Sequence, residues 1–270
     1  MPQAGKRRFF LTKPTNYRIE YSINPWMDPK NQVDKAKAEK QWNALRAEYE
    51  KLGAMVEVFE PADGWPDAVF TGDSIFLYGK HAIAGRFRYP ERSGEVEPMV
   101  KLFAQRGFTI HSLPGNLFFE GNGEAIAWND LILAGFGVRS DREALDFIGE
   151  TLGVRVVPIR VLPPHFHVDT VVAPLNSDTL AIVPSGMDEE SLERVHQLDV
   201  KLIEIDQDEG LKLACNSMAL DKNVIVSTAE APKFHKALES GGFTVIPLDL
   251  GEFAKSGGGA KCLTLEAYAA

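Results

Sequence analysis

Residues 144–159 read ALDFIGETLGVRVVPI, a helix-like segment that meets Gly153 and continues as alternating apolar residues. The first part is typical of a helix whose C-terminus needs a left-handed residue, and the second of a half-buried strand. The same pattern occurs four more times, around Gly53, Gly107, Gly242 and, in a weaker copy without the glycine, Asp199. These five turn positions are 43 to 54 residues apart, so five similar units account for the whole chain.

Additional short apolar runs between these copies predict further strands, at residues 74–78, 125–127, 131–134, 171–173, 179–183 and 223–226. Each unit then contains strands, a helix and another strand, which is too little chain to bury both faces of its own helix and sheet. Five such units could pack radially or in a row, and an ordinary doubly wound α/β sheet would show the same alternation. The pattern predicts an α/β fold and leaves the arrangement of the units open.

Composition narrows the class of protein. The 270 residues carry a net charge of −9 and have no block of Lys and Arg, which argues against nucleic-acid binding, because that binding needs clustered positive charge. The sequence contains no apolar run of about 18 residues, and its first apolar stretch is too short for a signal peptide. No linker divides the chain, so we predict one cytoplasmic domain over residues 1–270, without a membrane partner.

Two cysteines, Cys215 and Cys262, serve either packing or chemistry, because a reducing compartment keeps both as thiols. Cys262 follows three glycines and Lys261. Glycines let the backbone approach a ligand, and neighbouring positive charge or oriented N–H groups lower a thiol pKa. The alternative for Cys262 is a small buried residue at the start of a last strand. Cys215 has apolar neighbours, and we interpret it as structural.

A histidine-rich segment offers a second candidate. His165, His167 and Asp169 occupy alternate positions, so in an extended segment all three side chains would lie on one face. Such a face could bind a metal or perform acid/base catalysis, or the two histidines could simply be hydrogen-bonded at a strand end. Without a second cluster of ligands the spacing is weak support for zinc.

Acidic residues occur at two further turns. Glu120 follows two phenylalanines and precedes a Gly-x-Gly run that lacks the third glycine of a dinucleotide fingerprint. Asp67 and Asp73 flank a strand-like run. Taken singly, each acid is more typical of turn chemistry than of catalysis.

Arg92 and Arg139 interrupt apolar stretches. The planar guanidinium fork suits a substrate carboxylate, although a surface salt bridge is the default for any single arginine. The thiol, the histidine, the carboxylates and the arginines together describe a pocket for a cation at one end and an acid at the other. An amino acid such as arginine presents both groups.

Four motifs carry a resemblance to a known family: WPDxVFTxD ending at Asp73, FEGxGE with Glu120, FHxDT with His167 and GGAKCLTL with Cys262. Over residues 24–265 the chain resembles the guanidino-group-modifying enzymes, also called the pentein or amidinotransferase superfamily. That superfamily includes dimethylarginine dimethylaminohydrolase, arginine deiminase and the short arginine dihydrolases. The resemblance implies a five-bladed α/β propeller of ββαβ modules around a central active site, in agreement with the five-fold repeat.

The resemblance also implies a role for each candidate residue. Cys262 would be the nucleophile, His167 the general acid and base, and Glu120 the carboxylate that holds the guanidinium and orients the histidine. The implied substrate-binding residues are Asp73 and Asp169 at the guanidinium nitrogens, Arg92, Arg139 and Asn24 at the α-carboxylate or amino group, and Asp67. No metal or organic cofactor is expected. The expected partner is a small guanidino or ureido amino acid, and small family members often form homodimers.

Asp73 bears on the substrate. The short arginine dihydrolases have asparagine at this position, and that asparagine is associated with a second hydrolysis from citrulline to ornithine. The resemblance therefore favours hydrolysis of arginine or a close relative to citrulline, with methylated arginine as the second choice. The alternatives are a dihydrolase that forms ornithine, an amidinotransferase, and a non-catalytic arginine-binding module.

Overall fold

The computed structural model describes residues 7–62 and 64–269. Five helices have two turns or more: α1 (Lys35–Lys51), α2 (Val96–Gln105), α4 (Arg142–Leu152), α5 (Glu189–His196) and α7 (Pro232–Ser240). Three helices of a single turn complete the set: α3 (Gly121–Glu124), α6 (Gln207–Gly210) and α8 (Gly251–Ala254). None of the helices in these ranges is long and apolar enough to cross a bilayer.

Fifteen strands form four sheets within the described residues. The strands are β1 (Arg8–Thr12), β2 (Met55–Phe59), β3 (Ile75–Tyr78), β4 (His81–Ala84), β5 (Thr109–His111), β6 (Ala125–Trp128), β7 (Leu131–Phe136), β8 (Arg155–Arg160), β9 (Val172–Pro174), β10 (Thr179–Ile182), β11 (Lys201–Glu204), β12 (Met218–Leu220), β13 (Asn223–Val226), β14 (Thr244–Pro247) and β15 (Leu265–Tyr268). The predicted alternation of helices and strands in an α/β fold is confirmed.

The strands repeat one connection. In the unit formed by β6, β7 and β8, the first two strands pair antiparallel, helix α4 follows, and β8 returns parallel to β7. The same order holds for β3 to β5, β9 to β11 and β12 to β14. In the remaining unit β15, from the end of the chain, pairs antiparallel with β1, and β1 pairs parallel with β2. The parallel pair of β15 and β3 joins two units into one six-stranded sheet.

The turn between each long helix and its last strand has the predicted left-handed backbone. The four glycines of the repeat, Gly53, Gly107, Gly153 and Gly242, have φ between +66° and +88°. Asp199 has φ of +54° in the copy that lacks glycine, a conformation that aspartate tolerates better than most residues. The sequence did not single out β1, β4 and β12 as strands. β4 and β12 have only four and three residues, which is too short to show a clear alternation.

Apolar side chains from the helices and sheets make up the core. In one cluster Leu145 and Ile148 of α4 pack with Ile132 of β7 and Phe76 of β3. Leu145 and Ile148 are three positions apart, so both lie on the same face of α4. The helices therefore cover the sheets. The polar residues of each unit lie instead in the segment directly before its first strand.

Candidate active site

Each of the five units begins with a polar segment directly before its first strand. The five segments hold Asp73 before β3, Glu120 and α3 before β6, His167 and Asp169 before β9, Asn216 before β12, and Cys262 before β15. Hydrogen bonds and short contacts connect these side chains, which are at most 3% exposed. The fold thus brings residues that are up to 189 positions apart in the sequence into one cluster.

Cys262 lies in a turn that follows the glycine run. Its Sγ lies 3.0 Å from Asp169 Oδ2 and accepts a hydrogen bond from Asn216 Nδ2 at 3.0 Å. Burial, together with the charges of Asp169 and Asp73, raises the pKa of the Cys262 thiol well above its usual range. The expectation of a lowered thiol pKa is wrong, because burial and the two aspartates outweigh the hydrogen bond from Asn216, which acts in the lowering direction. The Lys261 ammonium donates to the Tyr268 hydroxyl at 2.9 Å.

His167 carries one engaged and one free ring nitrogen. Nε2 donates to Glu120 Oε2 at 2.8 Å, whereas Nδ1 lies 4.0 Å from Asp73 Oδ1 and has no hydrogen-bond partner within residues 7–62 and 64–269. Burial by itself lowers the pKa of His167, but Asp73 and Glu120 outweigh it and raise that pKa. His167 is therefore poised to hold a proton next to the Asp73 carboxylate.

Glu120 is a buried anion held by three groups. Besides His167, Arg139 Nη1 donates to Oε2 at 2.8 Å and the backbone N–H of Arg88 donates to Oε1 at 3.1 Å. Burial raises the pKa of Glu120, but Arg139 and His167 outweigh it and lower the pKa to about 2. The side chain stays ionised and fixes the orientation of the imidazole.

Three buried aspartates each keep one oxygen free. In Asp73, Oδ2 accepts from Arg92 at 2.7 Å, and in Asp67, Oδ2 accepts from the Tyr21 hydroxyl at 2.8 Å. The Oδ1 atoms of Asp67, Asp73 and Asp169 have no partner in the described part of the chain. Burial raises the pKa of Asp169 to about 6. Buried acceptors without partners cost free energy, so these oxygens are suited to receive N–H groups from a ligand.

Both predicted arginines lie in this cluster and are paired with carboxylates. Arg92 binds both oxygens of Glu95, at 3.0 and 2.8 Å, in addition to Asp73. Arg139 binds Glu120 and donates to the Ile23 carbonyl at 3.0 Å. Neither is the surface salt bridge expected by default, since both are at most 4% exposed.

A narrow cavity connects these groups. It is lined by Asn24, Asp67, Asp73, Arg92, Arg139 and Cys262, together with Phe70, Phe166 and Gly257–Gly258. Asn24 donates from Nδ2 to the Ser256 carbonyl at 3.0 Å and accepts the backbone N–H of Trp26 at 3.0 Å. All nine predicted site residues are therefore placed at this cavity or in direct contact with a residue that lines it.

The prediction that residues 165–169 form an extended segment is wrong. A 3₁₀ helix begins at Val168, directly after His167, and turns the chain away from a strand. His165 does not join the site, because its Nδ1 lies 3.2 Å from Thr170 Oγ1 and burial lowers its pKa to about 4. His167 and Asp169, with Cys262, offer ligand atoms within 4.8 Å of one another. The expectation of a metal-free site stays a prediction.

Sequence reasoning missed three residues of the site. Asn216 contacts the sulfur, and only its place directly before β12, in the unit formed by β12 to β14, could have revealed it. Glu124 Oε2 accepts the backbone N–H of Val168 at 3.1 Å, next to His167, and burial raises its pKa to about 8. Gly123 leaves room for Asp73 and His167, since an added Cβ would lie 2.8 Å from Asp73 Oδ1 and from His167 Nδ1.

Gly123→Ala is expected to lower kcat/KM about 100-fold, because a displacement of about 1 Å at reacting groups has an effect of this size. Steady-state kinetics would measure this loss, and a thermal melt would show whether the variant is folded. Gly241→Ala is the matched control, since its added Cβ meets nothing closer than 3.3 Å and lies in no site segment. Equal kcat/KM for both variants would contradict the tight packing at Gly123.

Comparison with known proteins identifies the family. The family model for N,N dimethylarginine dimethylhydrolase, eukaryotic, matches residues 8–269. The N(G),N(G)-dimethylarginine dimethylaminohydrolase of Mycobacterium tuberculosis is 33% identical over 97% of this chain and 86% of its own length. The bifunctional arginine dihydrolase/ornithine cyclodeaminase ArgZ of Synechocystis is 34% identical over 97% of this chain, which spans only 38% of that longer protein.

Solved structures of related proteins support the same family assignment. The N-terminal domain of the cyanobacterial arginine dihydrolase ArgZ, bound to product, superimposes with a TM-score of 0.92 at 31% identity, covering 98% of this chain and 99% of that domain. A variant of the same domain, covalently bonded to a reaction intermediate, gives a TM-score of 0.91 at 31% identity over 98% of this chain and 99% of that one. The chain therefore belongs to the dimethylarginine dimethylaminohydrolase family of guanidino-modifying enzymes and is a hydrolase that acts on a guanidino C–N bond.

Proposed function

We propose that this protein hydrolyses arginine to citrulline and ammonia, with methylated arginine as a second substrate. The observation that carries the proposal is the pair of buried Oδ1 atoms of Asp73 and Asp169, which lack partners in the described structure. They belong to carboxylates that contact or approach the sulfur and the imidazole. A guanidinium has N–H groups on both terminal nitrogens and would satisfy both oxygens at once.

Methylation bears on this choice. Each methyl group removes an N–H donor from the guanidinium and adds bulk. A buried carboxylate oxygen that then stays unpaired costs about 1–3 kcal/mol. Two aspartates at the guanidinium nitrogens therefore favour unsubstituted arginine.

The other end of the substrate carries an α-carboxylate. We propose that Arg92, Arg139 and Asn24 bind the α-carboxylate or the amino group. Both arginines line the cavity with Cys262. Each has an aromatic ring beside it, Phe87 at 4.4 Å from Arg92 and Tyr89 at 4.8 Å from Arg139, which limits access of water to the guanidinium. Asp67 contributes a further carboxylate to the lining of the same cavity.

The reaction divides into two halves, displacement of ammonia by the sulfur and then hydrolysis of the thiouronium intermediate. When the cationic guanidinium binds beside Asp73 and Asp169, the thiol proton leaves to solvent and Sγ attacks the central guanidino carbon. His167 gives its proton to the departing nitrogen, which leaves as ammonia, and an S-alkylthiouronium cation remains. His167 then takes a proton from water as the oxygen attacks the same carbon, and the hydroxyl proton returns to sulfur as citrulline leaves.

The elevated thiol pKa predicts the reactivity of the free enzyme. Alkylation of Cys262 by iodoacetamide should be slow at pH 7 and should rise with pH. Asp169→Asn removes a negative charge beside Sγ, lowers the thiol pKa, and is expected to speed alkylation at pH 7 about tenfold, since tenfold corresponds to one pKa unit. Asp178→Asn, at an exposed aspartate of the same unit, is the matched control. Slower alkylation in Asp169→Asn would contradict this electrostatic account.

Product mass after separate incubations with arginine, dimethylarginine and citrulline tests the proposed substrate. Citrulline from arginine supports the proposal, and citrulline from dimethylarginine alone would assign the second substrate instead. No turnover of any of the three compounds would overturn the proposal.

A second candidate is an arginine dihydrolase that continues to ornithine. The 34% identity to ArgZ, which is named as an arginine dihydrolase, favours this candidate. Asp73, in place of the asparagine of the dihydrolase type, disfavours it. Ornithine as the product from citrulline would decide for the dihydrolase.

We also propose that the five ββαβ units are the blades of a propeller around this site. The support is the equivalent position of the five polar segments, each of which precedes the first strand of its unit. A homodimer and a cytoplasmic location stay predictions.

A further inference from the structure

In the unit formed by β12 to β14, Asn216 occupies the position that corresponds to Asp73, Glu120, His167 and Cys262 in the other four units. It lies directly before β12, is fully buried, and belongs to no motif of the sequence resemblance. The other four equivalent segments all supply groups that the proposed reaction uses. By this equivalence, Asn216 is expected to contribute to the same reaction.

The Asn216 side chain uses all of its hydrogen-bonding capacity at the nucleophile turn. Oδ1 accepts the backbone N–H groups of Gly259 at 2.9 Å and Cys262 at 3.1 Å. Nδ2 donates to Cys262 Sγ at 3.0 Å and to the Asp169 carbonyl at 3.3 Å. Two backbone donors on one side of the amide fix its orientation, so the NH₂ group has to face the sulfur.

The backbone around Asn216 is held in place at a cost. Leu213, three residues earlier, has φ of +62°, a strained conformation for a residue with a branched side chain, and its carbonyl accepts the Asn216 N–H at 3.1 Å. On the other side the Ser227 hydroxyl donates to the Asn216 carbonyl and accepts the Ala260 N–H at 2.8 Å. Strain of this kind persists only where the surrounding structure determines the conformation.

We propose that Asn216 is a further catalytic residue, which donates the Nδ2–H hydrogen bond that stabilises the Cys262 thiolate formed before attack, and again the charge that develops on sulfur as the C–S bond breaks and the proton returns. The proposal rests on Cys262 as the nucleophile of the proposed function. Asp169, the other polar group at 3.0 Å from the sulfur, is a carboxylate that favours the thiol form. A fixed N–H donor needs no reorganisation as charge develops on sulfur, so it is effective in a dry site. Among the groups that shift the thiol pKa, Asn216 acts in the lowering direction.

Asn216→Ala tests the donor directly. Alkylation of Cys262 by iodoacetamide, followed over pH together with thiolate absorbance at 240 nm, gives the apparent thiol pKa without any guanidino substrate. We expect this pKa to rise and alkylation at pH 8 to fall about ten- to hundredfold, as for the loss of a hydrogen bond to a charged group. In turnover, kcat should fall more than KM changes, because the bond acts on the developing charge.

Ser227→Ala is the matched control. It removes the hydrogen bonds of the Ser227 hydroxyl to the Ala260 N–H and to the Asn216 carbonyl, and no contact to the sulfur. The proposal expects the apparent thiol pKa to stay unchanged in Ser227→Ala. Equal effects of the two variants, or an unchanged thiol pKa in Asn216→Ala, would overturn it and leave Asn216 as a support of the turn.

A measurement on the unmodified enzyme covers the case in which Asn216→Ala does not fold. In ¹H–¹⁵N spectra one asparagine side-chain amide should titrate with the same midpoint as the 240 nm absorbance, and that titration should be absent in Cys262→Ser. No amide that titrates in this way would overturn the proposal. A thiol pKa that depends on Asn216 in an enzyme that does not turn over arginine would instead place the failure with the proposed function.

Discussion

Cys262→Ser is expected to lower kcat about 10⁴-fold or more, the effect seen when a residue that acts as the nucleophile of a catalytic unit is removed. A serine hydroxyl ionises far less readily than a thiol, and the same carboxylates, Asp169 and Asp73, oppose its ionisation. The exchange removes one buried sulfur and introduces a hydroxyl that can still donate to Asp169. Stability should therefore change little, and steady-state kinetics with a thermal melt would measure both effects.

Cys215→Ala is the matched control for this variant. Cys215 is the other cysteine of the chain, is buried in an apolar cluster, and its Sγ lies 3.8 Å from the Ala181 carbonyl oxygen. Its loss should leave kcat within about threefold, since the variant removes packing and no contact to the substrate. Comparable loss of kcat in both cysteine variants would contradict the assignment of Cys262.

Glu120→Gln is expected to lower kcat about 10³- to 10⁴-fold, as for the loss of the carboxylate that orients a catalytic histidine. The amide keeps the shape of the side chain but removes one of the charges that, with Asp73, raise the pKa of His167, so less imidazolium is present at neutral pH. In the pH profile of kcat, the limb on which activity falls as His167 loses its proton should therefore move to lower pH. Kinetics over pH 5 to 9 would measure this shift.

The same variant should destabilise the protein by about 3–5 kcal/mol, because the buried guanidinium of Arg139 loses its anionic partner. The pKa of Glu120 is about 2 in the folded protein against an ordinary value of 4.5, so its ionic contribution is complete above about pH 4.5 and is lost as the pH falls toward 2. The stability difference between the two proteins should narrow over that interval. Urea unfolding at several pH values would show it.

Glu209→Gln separates stability from chemistry. Glu209 is also buried, and its oxygens accept the backbone N–H groups of Lys233 and Phe234 at the start of α7, both at 2.8 Å. We expect this variant to lower stability while it leaves the pH profile of kcat unchanged. If it shifted that profile as Glu120→Gln does, the effect of Glu120 could not be assigned to His167.

The local signals of the sequence were sufficient for most elements. Gly153 and the alternation that follows it predict the end of α4 and the course of β8, since a left-handed turn and a two-residue period leave a direct mark on the residue order. Asp199 shows that the turn is required even where glycine is absent. The histidine segment shows the opposite case, because the 3₁₀ helix at Val168 depends on packing that three alternating residues do not encode.

The site itself required both kinds of information. By itself the sequence determined the five-fold alternation of the chain, the net charge, and a set of chemical groups suited to a guanidino amino acid. Only the tertiary structure decided that Arg139 pairs with Glu120, that Asp169 contacts the sulfur while Asp73 approaches His167, and that Asn216 faces Cys262. Residue order specifies local backbone preferences, whereas a contact between units far apart in the chain, and the pKa that follows from it, exists only once packing has excluded water and fixed the distances.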